Sequence, residues 1–258
     1  MTGFKMLGVG VAGILAASIA TIFAQNVSAA SALLPDLKTT IPHHLSIQND
    51  HQKEFLRFSN GVANTGQGPL QIIAVIPASD PTQTQDAIQQ ILDENGNIVE
   101  EKLVSKFTFH EQHNHWHIAD VALFEVRQGS VDGPVVGTST KITSCLIDWY
   151  KIDDNSKTKE RTYWECNGEL QGISPGWVDQ YHHALADMEV EITGAEPGQY
   201  YLVSTANPNK TFIETDDENN TAWVSFDLKR DSNGNAKIKV TGHSVCEPGL
   251  CSEKVPNR

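Results

Sequence analysis

The chain has 258 residues, of which 39% are hydrophobic and 20% charged, and a formal net charge of −13. This is a globular composition with enough apolar material for a sizeable core. No basic stripe is available to meet phosphates, so nucleic-acid binding is excluded as the leading reading, and the acidic surface favours cations and amines instead.

Lys5 precedes the uncharged run Met6 to Ala24, and the small residues Val27 to Ala32 follow. That order reads as a signal peptide over residues 1–32. The apolar run is also long enough to span a bilayer if left uncut, as a signal anchor. The expected location is secreted, or on the outer face of the membrane. Residues 33–245 are expected to form one domain and 246–258 a C-terminal tail. The cysteine count is four, even, as an oxidising compartment favours. Cys246 and Cys251 bracket a short Pro-Gly loop and are expected to pair, which leaves Cys145 with Cys166.

The segment from Leu37 to Asp50 is rich in Pro and His and reads as a connector. Residues 54–64 alternate apolar and polar side chains, the pattern of a half-buried strand, and 70–76 is a second strand. Residues 77–86 read as loop. Asn95-Gly96 supplies the positive φ angles of a tight hairpin turn. The strand from Leu103 runs into Phe107 to Asp120, which holds four of the ten histidines. His113, His115 and His117 stand at i, i+2 and i+4, so one extended strand would present all three imidazoles on one face. Neutral imidazole suits copper, zinc, iron and nickel, and copper(II) binds nitrogen sites most tightly of the first-row divalent ions. Further strands are read over 121–126, 135–144, 189–192, 199–204, 222–228 and 236–241, with a charged surface loop over 150–162 and one short helical turn over 184–189. The fold class is all-β: a β-sandwich-like single domain with long loops and little helix.

Several blocks occur together in one order. They are the HxHxH run, Lys141 to Asp148, Gln171 to Gly176, Asp179 to Tyr181, Pro197 to Leu202, Asn207-Pro208 and Glu214 to Asn220. Together they resemble the catalytic domain of the lysyl oxidases, over roughly residues 33–228. The resemblance implies copper on His113, His115 and His117. It implies that Lys141 and Tyr181 cross-link into lysine tyrosylquinone. The residue types suit this chemistry, because a phenolate near copper can be oxidised to an ortho-quinone to which a neutral lysine amine adds. Burial and a nearby cation would favour the neutral amine.

The implied activity is oxidative deamination of primary amines, either small amines or lysine side chains of extracellular proteins, by a monomer. Asp120 and Asp179 are candidate bases. Glu214, Asp216, Asn219 and Asn220 offer hard oxygen ligands that suit calcium. The resemblance pairs them with Asp36 and the backbone carbonyl of Leu37. Gln112, Phe124 and Trp177 depart from the animal enzymes, which carry Cys, His and Cys at those positions. The departure at Phe124 leaves the proton-transfer partner unassigned. His110, His182 and His183 lie near the implied site in sequence, and His43-His44 would be incidental metal contacts in a mobile segment. A non-catalytic copper- and calcium-binding module of the cell envelope is the alternative reading. A zinc hydrolase with three histidines is a third, although no base for its water stands out.

Overall fold

The structure, a computed structural model, describes residues 1, 31–75, 84–111, 114–139, 143–152, 155–156 and 158–251. The expected signal segment therefore lies outside the described residues. The elements are all strands: β1 (Ala32–Leu33), β2 (Leu37–Thr39), β3 (His43–Asp50), β4 (Lys53–Asn64), β5 (Leu70–Ala74) and β6 (Gln85–Asp93) come first. β7 (Ile98–His110), β8 (His115–Ala119), β9 (Ala122–Gln128), β10 (Val135–Thr138), β11 (Thr143–Ser144) and β12 (Tyr150–Lys151) follow. The last are β13 (Leu170–Ile173), β14 (Trp177–Tyr181), β15 (Glu189–Glu191), β16 (Gly198–Ala206), β17 (Thr221–Arg230) and β18 (Ala236–His243). The all-β expectation holds. Two local readings change. Residues 184–188 make turns rather than a helical turn, with Asp187 at φ 65°. Residues 37–50 are not a connector but two strands, because the alternation of Leu45 and Ile47 with polar residues lets this segment lie along β4.

Three sheets result. One runs β11-β8-β7-β6-β5-β13, with β1 added beside β6. A second runs β10-β9-β16-β17-β18. The third runs β12-β14-β4-β15, with β2 and β3 also on β4. The β6–β7 hairpin turns where expected. Gly96 has φ 80°, and Asp93 Oδ1 accepts from the N–H groups of Asn95 and Asn97, both at 2.8 Å. One continuous core joins the sheets, with Phe58 of β4 edge-on to Phe124 of β9 at 5.0 Å between ring centroids. Ser204 Oγ of β16 donates to Asn60 Oδ1 of β4 at 3.1 Å, so this buried polar pair between layers is satisfied.

Both disulfides form as expected, Cys145–Cys166 and Cys246–Cys251. The second closes a loop that packs on the body. Leu250 is buried with Ala63, Tyr150 and Val178, and its carbonyl accepts from Ile41 N–H at 3.0 Å.

At the far end of β4, Glu54 joins two sheets. Arg230 Nη1 of β17 donates to both carboxylate oxygens at 2.5 Å, and Ala236 N–H donates at 3.0 Å. The Arg230 hydrogen bonds hold the Glu54 carboxyl below its ordinary value, against an opposing effect of burial. A carboxylate lowered in the folded state contributes stability above the ordinary carboxylate range and loses it as pH falls through its folded value. Glu54→Gln is therefore expected to cost roughly 2 kcal/mol at neutral pH, the scale of a hydrogen bond to a charged group. The gap to the parent protein should narrow in urea unfolding at about pH 3, below the ordinary carboxylate pKa. An equal loss at both pH values would remove the charge pairing as the cause.

Candidate metal centre and buried tyrosine

β7 and β8 form a tight antiparallel hairpin in which His110 pairs with His115 and Thr108 with His117. The chain reverses over 111–114. Asn114 sits in the left-handed region at φ 53°, and its N–H donates to Glu111 O at 3.3 Å. Asn tolerates that conformation better than most residues, which explains why the chain turns here. The expectation of three histidines on one strand is thus corrected: β8 begins at His115. His113 and Gln112 lie outside the described residues.

His115 and His117 do share one face of β8, as an i, i+2 pair must. Their Nε2 atoms stand 2.8 Å apart. Two imidazole nitrogens this close could be held by one ion, and imidazole donors suit copper or zinc. The Nδ1 of His117 is 3.0 Å from Thr143 Oγ1 on β11, the neighbour of β8. Such a partner fixes the ring and directs Nε2 outward. The reversal also stacks His110 against His117, with ring centroids 4.9 Å apart. The hairpin carries the signal for this, since His110 and His115 are symmetric about the 111–114 turn.

Tyr181 arrives from a different sheet. It ends β14, whose pairing with β4 places Tyr181 opposite Asn60. Asp179, two residues earlier on the same strand, projects to the same side. The Tyr181 hydroxyl donates to Asp179 Oδ2 at 2.5 Å. Tyr181 is 4% exposed and Asp179 2%. Burial first, then the Asp179 charge and hydrogen bond, push the phenol well above its ordinary pKa, while a hydrogen bond with Ser144 acts the other way. Left to itself Tyr181 is a neutral phenol, and Asp179 is the group placed to take its proton. A cavity of about 160 Å³ is lined by His115, His117, Asp179, Tyr181 and Trp149 together with the Cys145–Cys166 disulfide. A wider depression of about 470 Å³ beside Glu54 and Arg230 touches none of these residues, so volume is a poor guide to the chemistry here.

The other shared blocks build the walls. Asp148 is fully buried and accepts from Thr162 N–H, Tyr163 N–H, Ser174 N–H and Ser174 Oγ at 2.7–3.1 Å. Gln171 accepts from Leu146 N–H at 3.0 Å and donates to Trp116 O at 2.9 Å, tying β13 to the strand that carries the histidines. Asp120 stands apart, at φ 64° in the turn after β8, accepting from Asn209 Nδ2 at 3.0 Å. Phe124 is a core residue. Lys141 lies outside the described residues, between the pinned Ser139 and Thr143.

The acidic loop does meet the start of the domain. Thr215 N–H donates to Pro35 O at 2.8 Å, Leu37 N–H to Glu214 Oε2 at 2.7 Å, and Asn219 Nδ2 to Asp36 Oδ1 at 3.1 Å. Burial pushes Glu214 above the ordinary carboxyl value, and a hydrogen bond shared with Asp217 adds to this. Asn219 Oδ1 and Asn220 Oδ1 are buried without a hydrogen-bond partner. Oxygens left in this state beside crowded carboxyls fit a hard cation. Asp216 instead caps its own turn, accepting from Glu218 N–H at 2.9 Å. Sequence reasoning passed over Asp217 and Asn207, whose Nδ2 donates to Glu214 Oε1 at 2.5 Å.

The site is thus an imidazole pair facing a buried tyrosine–carboxylate pair on an all-β scaffold. The sequence model of the lysyl oxidase family matches residues 91–237. The chain belongs to the lysyl oxidase family. It is 32% identical over 175 residues to lysyl oxidase homolog 2A of Danio rerio, covering 67% of this chain and 19% of that protein. It is 33% identical over 116 residues to lysyl oxidase homolog 3 of Homo sapiens, covering 44% and 14%. Against lysyl oxidase homolog 1 of Homo sapiens it is 30% identical over 112 residues, covering 43% and 19%. The chain thus spans a fifth or less of the length of these curated relatives.

Thr143→Val keeps shape but removes the partner of His117 Nδ1. It is expected to weaken copper(II) binding about 10- to 100-fold, the usual effect of losing such a support. Competition titration of the apo protein with a calibrated chelator would measure this, and an unchanged affinity would exclude the support role.

Proposed function

We propose that this chain is an exported copper-dependent amine oxidase of lysyl oxidase type. It would take a primary amine, O₂ and water to an aldehyde, ammonia and hydrogen peroxide. The observation that carries the reading is the shared cavity, where His115 and His117 of one sheet face Tyr181 and Asp179 of another. In this reading His113, His115 and His117 hold copper, and Lys141 and Tyr181 are the residues that cross-link into lysine tyrosylquinone. The bound copper and the quinone supply the oxidising power and the electron sink, which side chains alone lack.

The chain's own residues do the rest. Asp179, hydrogen-bonded to the Tyr181 hydroxyl, would receive its proton once a bound metal ion offsets the burial and carboxylate charge that hold it on the phenol. After maturation the same carboxylate is the nearest base at the cavity wall, the role that Phe124 leaves open. Trp149, Ile147 and Leu185 supply apolar walls to the cavity. The net charge of −13 draws ammonium groups towards the protein. Small primary amines and lysine side chains of extracellular proteins are the substrate classes this suits. Both disulfides support an oxidising, extracellular location. Calcium on Asp36, Leu37, Glu214, Asn219 and Asn220, with Asp216 and Asp217 beside them, would tie the domain's start to the loop before β17.

Copper-loaded protein matured in air should develop a visible chromophore that reacts with phenylhydrazine. Lys141→Arg and Tyr181→Phe should each abolish it while copper stays bound, and Asp179→Asn should slow its appearance by at least tenfold. Fully coppered protein that never becomes carbonyl-reactive would favour the non-catalytic module. Separately, calcium at 100 times its Kd should stabilise the fold by about 2.7 kcal/mol. That gain should be seen as a raised Tm and be absent in Asp36→Ala, and a Tm indifferent to calcium and chelator would exclude the site.

A further inference from the structure

Four more imidazoles gather outside the cavity. His43 and His44 open β3, and His182 and His183 follow directly after β14. No sequence spacing joins the two pairs, yet β4 holds both: His43 pairs with Ser59, and Tyr181 with the adjacent Asn60. In a regular strand His43 and His44 would point to opposite faces. Here the β3–β4 register shifts between His43 and Ser46, and His44 takes a left-handed φ of 54°. A bulge of this kind re-aims a side chain. The His43 and His44 rings come within 4.6 Å, His44 and His183 within 5.4 Å, and His182 and His183 within 4.1 Å. One ring nitrogen from each of His44, His182 and His183 lies within 4.8 Å of the others.

The second nitrogens are accounted for. His43 Nδ1 faces Ile41 O at 3.0 Å, which fixes the tautomer and leaves the Nε2 lone pair unprotonated. That Nε2 is buried with no hydrogen-bond partner. Ser59 Oγ stands between His44 Nδ1 at 3.3 Å and His183 Nδ1 at 3.2 Å. It also accepts from His183 N–H at 2.8 Å. The N–H of Ala184 orients His182 through its Nδ1 at 3.2 Å. An imidazole anchored at one nitrogen and presenting the other is the arrangement of a metal ligand. The cationic neighbour Arg57 is engaged by Glu189 at 2.5 Å and by the carbonyls of His183 and Leu185.

We propose that His44, His182 and His183 bind a divalent late first-row transition ion of the zinc class, with the His43 ring packed beside His44. This site is distinct from the one at His115 and His117, since none of its histidines lines that cavity. The ion would clamp the start of β3 to the 182–185 turn. Leu185 of that turn is a wall of the cavity, so occupancy would set how freely the wall moves.

The test uses the full chain with its first site removed by His115→Ala/His117→Ala, so that the outcome does not depend on the proposed oxidase activity. After equilibration with Zn²⁺ and gel filtration, this variant should retain one zinc per chain by elemental analysis. It should also show a raised Tm and, with Co²⁺ as probe, visible ligand-field absorption. Adding His44→Ala/His183→Ala should remove the ion, the Tm gain and the absorption. The milder His44→Gln/His183→Gln pair should do the same while its metal-free Tm stays at the parent value. Failure of the His115→Ala/His117→Ala variant to bind zinc, or unchanged zinc in the variants at 44 and 183, would overturn the proposal.

Discussion

Twelve consecutive residues, Lys53–Asn64, carry the hydrogen bonds of four other strands, because β2 and β3 share one edge of β4 while β14 and β15 share the other. Most of β4 beyond its first turn is buried, so a slip of one residue would drive its apolar set out of the core and is strongly opposed. That constraint fixes three places at once. It sets Tyr181 and Asp179 through β14, the His43 bulge through β3, and Leu37 beside Glu214 through β2. The Glu54–Arg230 pair then anchors the same strand to the five-stranded sheet.

The histidine hairpin is the independent half. It belongs to a different sheet and reaches the tyrosine only because β13 and the 145–148 segment bridge the two. Asp148 and Gln171 make that bridge with buried hydrogen bonds, where a lost partner would leave several N–H groups unsatisfied. This explains why the blocks around Cys145–Asp148 and Gln171–Ser174 accompany the histidine run. They hold the facing walls of the cavity at a fixed spacing.

Much of the frame was legible in the sequence, because period-two alternation and Asn-Gly turns are local signals. The β6–β7 hairpin was read correctly for that reason, and both disulfides from the even cysteine count and the short loop between Cys246 and Cys251. The 37–50 segment was misread because Pro42 and the two histidines after it masked a short alternation that becomes a strand only beside β4. The histidine run was misread in a similar way, as one strand. The left-handed Asn114 breaks it, and with that break His110 joins the group. The pairing of Asp179 with Tyr181 was implicit in their spacing of two, but burial gave it meaning. The gathering of His43 and His44 with His182 and His183 was invisible, since nothing local links residues some 140 apart.

The Cys145–Cys166 bridge sits in the wall of the cavity. Under the proposed oxidase reading this pocket would release peroxide onto its own lining, and a thiol there would climb the oxidation ladder to irreversible acids. A sulfur already held as a disulfide has no thiolate to offer. Among the described residues beyond the start of the chain, the remaining thioether, Met188, is fully buried. The described fold thus keeps its soft atoms either spent or shielded, as the proposed peroxide-releasing pocket would require.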